Sequence, residues 1–349
     1  MVRFVLDYVM QDLVSIILST YNRANFLKHL SIPSVINQTY KNWELIVVDD
    51  GSNDDTKEVI NFFKKKIPNL KYLRFENNRG YAATINEGFK LADGQFIALL
   101  DADDGWFSNK LERQVDFMKE NNLLASTTYV VQYNVVKKKI DGIVGVGLPG
   151  FMAKKELFNY ILPLDETLRG IEDGDFFCKI ELAKMNNKIK ENEIQILKEP
   201  LVFYTRHSGA LSYYDIKKSE IMIERYNKFL DKYRFLIENK ERITPTLSKL
   251  FFLSYVRLGI HQGILSDRRG AVQSFKKALK LKASVLEKIF VYFLRLIVSF
   301  APPSIFIWTK IVLRDILIEN FIYKLKFKQY KKLLNFNEVD RLISNIKNV

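Results

Sequence analysis

The 349-residue chain predicts an α/β fold, a doubly wound and mostly parallel sheet, followed by an all-α C-terminal region. Three observations carry this expectation: apolar runs alternate with amphipathic stretches from Leu13 to Leu100, polar or acidic clusters close those runs, and helical periodicity without strand signals follows Asp215. With 48% hydrophobic and 27% charged residues the composition is that of a folded protein, and it excludes a disordered chain. The length suggests two domains.

The elements follow in order. Leu13–Ser19 reads as a buried strand and Asn25–Gln38 as an amphipathic helix; Trp43–Val48 repeats the strand, with a helix from about Asp54 to Lys66. A short strand at Leu70–Phe75, a helix at Ala82–Leu91 and the apolar strand Phe96–Leu100 complete the alternation. In such sheets ligands collect where the strands end, and here those ends carry Thr20-Tyr21-Asn22-Arg23, Asp49-Asp50 and Asp101-Ala102-Asp103-Asp104. Beyond them the pattern predicts a helix at Lys110–Glu120, strands at Ser126–Tyr133 and Val144–Ala153, a helix near Asp173–Met185 and a last strand at Leu201–Tyr204.

We therefore divide the chain into an N-terminal extension (1–12), an α/β domain (13–215) and a helical region (216–349). Residues 254–284 have the spacing of one helix-turn-helix repeat, through Tyr255, Gly259, Gly263, Ala271, Phe275 and Ala278, and amphipathic helices are expected over 285–330.

Charge is distributed unevenly. Residues 1–215 hold 27 Lys and Arg against 29 Asp and Glu, a net −2, whereas residues 216–349 hold 27 against 11, a net +16. The tail is thus expected to meet an anionic surface, with membrane lipid and nucleic acid as the candidates. One cysteine, Cys178, precludes an intramolecular disulfide and fits a reducing compartment. The opening residues are too short in apolar run for a signal peptide, and Met1 and Met10 are both candidate starts. The longest apolar stretch, Leu296–Thr309, is broken by Pro302-Pro303 and falls short of the roughly 18 residues a spanning helix needs. A cytoplasmic protein, peripheral at the inner face of the cell membrane, is the expectation.

Asp101 and Asp103 close an apolar strand, where extended spacing sends both side chains to one side. Two adjacent carboxylates stay ionised together only with a cation near them, and Mn²⁺ or Mg²⁺ prefers hard oxygen ligands completed by phosphate and water. Asp-x-Asp alone is a weak motif; its company is what matters. Val14-Ser-Ile-Ile-Leu-Ser-Thr-Tyr-Asn-Arg23, Trp43-Glu-Leu-Ile-Val-Val-Asp-Asp-Gly-Ser52, Asn77-Asn-Arg-Gly-Tyr-Ala-Ala-Thr-Ile-Asn86 and Ala98-Leu-Leu-Asp-Ala-Asp-Asp104 together resemble the family 2 glycosyltransferases of GT-A fold. The resemblance is dense over about residues 13–120 and thinner to about 215.

That resemblance implies an inverting transferase using a nucleotide-sugar donor and a glycan or lipid-linked acceptor, with a divalent Mn²⁺ or Mg²⁺. It places Thr20, Tyr21 and Arg23 against the nucleoside, Asp49 on the base and Arg79 on the nucleotide. Asp101 would face the ribose or the metal, Asp103 would ligate the metal, and His207, in Tyr204-Thr-Arg-His207, would approach it from the opposite side with Arg206 supporting the pyrophosphate. Asp50 is a supporting residue, and Ser52 is read as a turn and cap. Gly170-Ile-Glu-Asp-Gly-Asp-Phe-Phe177 resembles the segment that carries the family's base, which assigns that role to Asp173, with Glu172 orienting it or touching acceptor and Asp175 a weaker candidate. Gly147-Leu-Pro-Gly150 matches the acceptor loop only loosely.

Two readings from other classes stand beside this one. In the first, a nucleic-acid- or membrane-binding protein carries a catalytically inert transferase-like domain; in the second, a structural or regulatory protein has an inert transferase domain and a tail repeat that binds a partner, while the tail's apolar stripes could also pack on the catalytic domain or join a homodimer. A nucleotidyltransferase on a similar sheet fits the ordered segments poorly.

Overall fold

A computed structural model describes residues 12–144, 147–207, 219–239, 243–300 and 334–346. Two compact units are drawn from alternating stretches of sequence. The described parts of Met1–Glu166, Ile189–Ala210 and Ile322–Val349 form one; those of Thr167–Lys188 and Leu211–Phe321 form the other.

The first unit is built on a single sheet. Among the described residues nine strands join it: β1 (Val14–Thr20), β2 (Trp43–Asp49), β3 (Leu70–Arg74), β4 (Phe96–Asp101), β5 (Gly105–Trp106), β6 (Ala125–Asn134), β7 (Lys139–Val144), β8 (Met152–Lys154) and β9 (Ile194–Arg206). Their order is β3-β2-β1-β4-β8-β6-β9-β5, with β7 on β6. The first four are parallel; β8 runs antiparallel to β4 and β6, and β9 is parallel to β6. Val14, Ile16, Ile17 and Leu18 of β1 are fully buried, as are Leu45–Val48 of β2 and Ile97–Leu99 of β4, because helices cover both faces, and this is why those segments read as unbroken apolar runs.

The covering elements are α1 (successive segments Ala24–Phe26, a wider π-helical turn Leu27–Ser31, and Ile32–Ile36), α2 (Thr56–Lys64), α3 (Tyr81–Leu91), α4 (Lys110–Glu120) and α5 (Lys155–Ile161). One strand expectation is corrected: Val144–Ala153 is not a single strand, since β7 ends at Val144 and β8 begins only at Met152. Its middle, Leu148–Gly150, is a tight turn tied down by Trp106 Nε1 donating to Pro149 O (3.0 Å) and by Gln114 Nε2 donating to Gly150 O (3.1 Å). Apolar content there reflects burial of the turn, not extension.

The second unit is helical: α6 (Glu172–Met185), α7 (Ser219–Lys232), α8 (Arg234–Glu238), α9 (Pro245–Ile264), α10 (Arg268–Leu279) and α11 (Val285–Phe300). Cys178 and Ile171 of the α6 segment share a core with Phe229, Phe251, Phe275 and Val291. Gly259 explains the α9–α10 pairing, since a Cβ there would lie 2.6 Å from the Phe275 ring. Thr244 caps α9 by accepting from Leu247 N (3.2 Å), and Asp267 caps α10 through Gly270 N (2.9 Å). The helical expectation holds for the described part of the tail; the helix expected after Pro303 lies outside the described residues.

The single sequence boundary at 215 differs from this division at two places. Glu172–Met185 takes its core from later helices, and α12 (Phe336–Ile346) returns to the first unit, where Val339, Leu342 and Ile346 pack with Phe26, Leu30 and Phe107.

Candidate active site

Strand register aligns the functional ends. Thr20 pairs with Asp49, Ser19 with Asp101, and Asp49 with Arg74, so the carboxyl ends of β1 to β4 finish level at the point where strand order reverses from β1 to β4. Loops leaving these ends are stitched to each other. Asn22 N donates to Ser52 Oγ (2.8 Å), Asn53 N to Asn22 Oδ1 (2.7 Å) and Ala24 N to Asp54 Oδ2 (2.9 Å). Ser52, read from sequence as turn and cap, therefore also joins two loops. Gly51 sits at φ +79°, and a Cβ would meet the Asn77 backbone at 3.0 Å, so neither the turn nor the neighbour admits a side chain.

The acidic pair after β2 is buried and engaged. Asp49 is fully enclosed: Oδ1 accepts from Ser52 N (2.8 Å), Oδ2 from Tyr72 OH (2.8 Å), and Arg74 Nε stands 3.6 Å away. Both carboxylate oxygens of Asp49 are thus engaged within the protein. Asp50 Oδ1 accepts from Arg79 N (2.6 Å) and Oδ2 from Gly80 N (2.9 Å), which fixes the start of α3. The Arg79 side chain lies over the Phe75 ring and pairs with Glu166.

Across the sheet end, β9 brings His207 beside the β4 loop. Thr205 N donates to Asp104 Oδ1 (3.0 Å) and Thr205 Oγ1 to Asp103 O (2.6 Å). His207 Nε2 then stands 3.0 Å from Asp103 Oδ2, Arg23 Nε 3.3 Å from the same oxygen, and the Phe26 ring packs on the imidazole at 4.7 Å. A pocket of about 280 Å³, lined by Asn22 to Phe26, Asp54, Asp55 and His207, opens beside them. Burial pushes the Asp103 carboxyl up, but His207 and Arg23 more than offset it and hold it below the usual carboxylate range. Asp104 goes the other way: burial, then the charges of Asp103 and Asp101, raise it well above that range, and its Oδ2 has no hydrogen-bond partner.

Of the residues named from sequence, Arg23, Asp103 and His207 are thus brought into one cluster. Asp101 is half-buried at the end of β4, Thr20 is buried, and Tyr21 is 42% exposed. Arg206 is paired with Asp141 of β7 (3.4 Å). Among the described residues no three Asp, Glu, His or Cys side chains converge into a self-sufficient metal cage. Asp103 and His207 nevertheless offer one oxygen and one imidazole donor on a shared point, a set that fits Mn²⁺ or Mg²⁺ ions whose remaining positions are taken by phosphate and water.

Glu172, Asp173 and Asp175 stand in the first turn of α6, in the second unit. Asp173 is exposed as a residue, yet burial of its carboxyl raises it above the usual range, with the Arg257 charge pulling the other way. Glu172 is buried and likewise raised. Asp175 is fully buried and consumed by Lys232 Nζ and Tyr233 OH, each 2.6 Å from Oδ1. Sequence reasoning missed Tyr72, Arg74 and Glu166. For the first two a signal existed, since residues two apart on a strand share a face, but only the β2–β3 register shows that the face ends at Asp49.

A family model for glycosyl transferase family 2 matches residues 15–185. Escherichia coli UDP-Glc:alpha-D-GlcNAc-diphosphoundecaprenol beta-1,3-glucosyltransferase WfgD is 31% identical over 271 residues, covering 74% of this chain and 98% of its own. An uncharacterized glycosyltransferase of Rickettsia bellii (strain RML369-C) is 43% identical over 130 residues, 37% of this chain, and the chain spans only 18% of that protein's length. Among solved structures, the mannosyltransferase PcManGT from Pyrobaculum calidifontis, in complex with GDP-Man and Mn2+, superposes with a TM-score of 0.51 at 15% identity over 88% of this chain and 86% of its own, which supports the fold. The sheet is that of a GT-A glycosyltransferase. The chain belongs to glycosyl transferase family 2, and it is related to enzymes of polysaccharide and lipid-linked glycan synthesis.

Proposed function

We propose that the chain is an inverting transferase that moves a sugar from a nucleotide-diphosphate donor, a UDP-sugar, to a hydroxyl of a glycan or lipid-linked acceptor in cell-surface polysaccharide or glycoconjugate synthesis. The observation that carries this reading is the convergence of Arg23 and His207 on one carboxylate oxygen of Asp103, in the loop that leaves β4. The name of the Escherichia coli relative, with its UDP-Glc donor and diphosphoundecaprenol acceptor, supports the choice of nucleotide and of a lipid-linked acceptor.

Donor contacts fall to Thr20, Tyr21, Arg23, Asp49, Arg79 and Asp101, with Asp50 holding the Arg79 loop and Arg206 in reserve for the pyrophosphate. Asp103 and His207, with Asp101, would hold Mn²⁺ or Mg²⁺, which when bound neutralises charge developing on the leaving diphosphate. Asp173 takes the proton of the acceptor hydroxyl as that oxygen attacks the anomeric carbon opposite the departing diphosphate. A carboxyl raised above the usual range is the stronger base for that role, with Glu172 orienting it or touching the acceptor.

The tail gives the enzyme its place. On α11 Val285, Ile289, Tyr292, Phe293 and Leu296 are each half or more exposed along one stripe, while Val291, Leu294 and Val298 are buried on the opposite face. Lys288 and Arg295, seven residues apart, flank the stripe on one side. An apolar stripe beside cations in a strongly basic region favours an anionic bilayer over nucleic acid, which offers no apolar depth. No helix among the described residues is long and apolar enough to cross a membrane.

Asp173→Asn tests the central assignment. The expected loss in kcat is about 10²–10⁴-fold with UDP binding within a factor of about two, because a general base acts only in the transfer step. Turnover at the wild-type rate would remove Asp173 from the chemistry.

A further inference from the structure

Arg79, expected at the nucleotide, is already occupied by an anion of the protein itself. Arg79 Nη2 donates to both carboxylate oxygens of Glu166, at 3.3 and 3.2 Å, with Glu87 3.8 Å away. Its backbone is fixed at the crevice by Asp50, and its guanidinium plane rests on Phe75. Glu166 is held in turn: Asn86 Nδ2 donates to Glu166 Oε1 (3.3 Å) and to Leu164 O (3.0 Å), while Asn86 Oδ1 accepts from Leu164 N (2.7 Å). Glu166 therefore keeps a place in the fold even if it releases Arg79.

We infer that Glu166 is the resident counter-anion of Arg79, a placeholder that the donor diphosphate displaces when it binds. The inference rests on the proposed role of Arg79 in donor binding. Both side chains of the pair are 37–44% exposed, so solvent screens it and the exchange is cheap. A phosphate offers the same planar guanidinium a bidentate partner of higher charge. Until a donor arrives, the pair keeps the guanidinium on Phe75 with Nη2 engaged, which disfavours weaker anions. Glu166 is a positioning residue here, since it acts through Arg79.

The test is a double-mutant cycle read by calorimetric binding of UDP, with uridine as the probe lacking phosphate and MnCl₂ held constant. Glu166→Gln keeps the shape and the Asn86 contact but removes the charge. UDP should bind about two- to fivefold tighter, the range a half-exposed ion pair can supply, while uridine binding stays the same. In an Arg79→Gln background the Glu166→Gln effect should vanish, and the melting temperature of each variant should stay at the wild-type value. Unchanged or weaker UDP binding in Glu166→Gln overturns the inference, as does equal tightening in the Arg79→Gln background or with uridine, which would signal general electrostatics or base contact. If Arg79→Gln itself binds UDP as the wild type does, the donor role of Arg79 fails and the placeholder falls with it. If Arg79→Gln weakens UDP but Glu166→Gln does not tighten it, only the placeholder fails.

Discussion

Replacing Asp175 by Asn should cost stability and leave the chemistry alone. Asp175 is fully buried, takes hydrogen bonds from Lys232 Nζ and Tyr233 OH at 2.6 Å on Oδ1, and has Lys179 Nζ at 3.3 Å from Oδ2. Asn preserves the shape, and its carbonyl oxygen can keep both Oδ1 bonds in neutral form. Each bond that loses its charge forfeits about 1 kcal/mol, and the amide nitrogen now points donors at Lys179, leaving a buried donor unmatched at about 1–2 kcal/mol more. Lys179 and Lys232 are 20% and 31% exposed and regain some hydration, so we expect a net loss of about 2–3 kcal/mol. At about 1.4 °C per kcal/mol for a chain of 349 residues unfolding as one unit, the melting temperature should fall by about 3–4 °C. Differential scanning fluorimetry beside steady-state kinetics well below the transition separates stability from activity. A melting temperature at the wild-type value with a collapsed kcat would refute this reasoning and return Asp175 to the chemistry.

Three further outcomes are expected. Lys110 is fully buried with Nζ 3.8 Å from the Trp106 ring centroid and no hydrogen-bond partner, and burial pulls its pKa well below the ordinary lysine value. The unfolded chain then binds that proton more readily, so this group's contribution to stability rises with pH between the depressed folded value and about 10.4; Lys110→Met should add about 1–2 kcal/mol at pH 7 in urea titrations and flatten the rise toward pH 9.5, and a loss of stability would mean the amine is required. Chelation with EDTA should reduce transfer at least about 10²-fold, reversibly with MnCl₂, and Asp103→Asn should weaken calorimetric Mn²⁺ binding in the presence of UDP; full activity in EDTA would exclude a metal role. The pair Ile289→Glu and Phe293→Glu, both on exposed positions, should cut co-sedimentation with anionic phosphatidylglycerol vesicles at least about tenfold without changing the melting temperature; unchanged co-sedimentation would clear α11 of lipid contact, and a switch from dimer to monomer would assign the stripe to a second copy.

What could be read in advance follows from which forces are local. β1, β2 and β4 were legible because strands buried on both faces must be apolar throughout. The acidic ends were legible because a strand's end fixes where its loop begins. β9 was seen only in its last part: Lys198-Glu199-Pro200 interrupts the apolar pattern where the register with β6 shifts between Thr128 and Val130, so a strand that runs Ile194–Arg206 looked like Leu201–Tyr204. His207 could be suspected from its neighbours in sequence, but its meeting with Asp103 depends on β9 pairing with β5 and β6, which no local pattern encodes. The same limit hid Glu166, whose acidic side chain has no distinguishing periodicity until Asn86 and Arg79 are beside it.

The interleaving of the two units has a kinetic side. Glu338 of α12 accepts from Ser108 N, 230 residues back along the chain, while α7 to α11 pair largely with their neighbours in sequence. Loop-closure entropy makes the local helical contacts quick to form and the long return slow. The helical unit should therefore organise early and the sheet unit late, with Leu30, Phe107 and Leu342 the last apolar surfaces to close. A chain cut near residue 215 would present α6 without the helices that bury Ile171 and Cys178, and α1 without α12. Such a fragment would expose the sticky surfaces of an arrested folding intermediate, and low solubility of a trimmed catalytic fragment would report on folding order before it reported on catalysis.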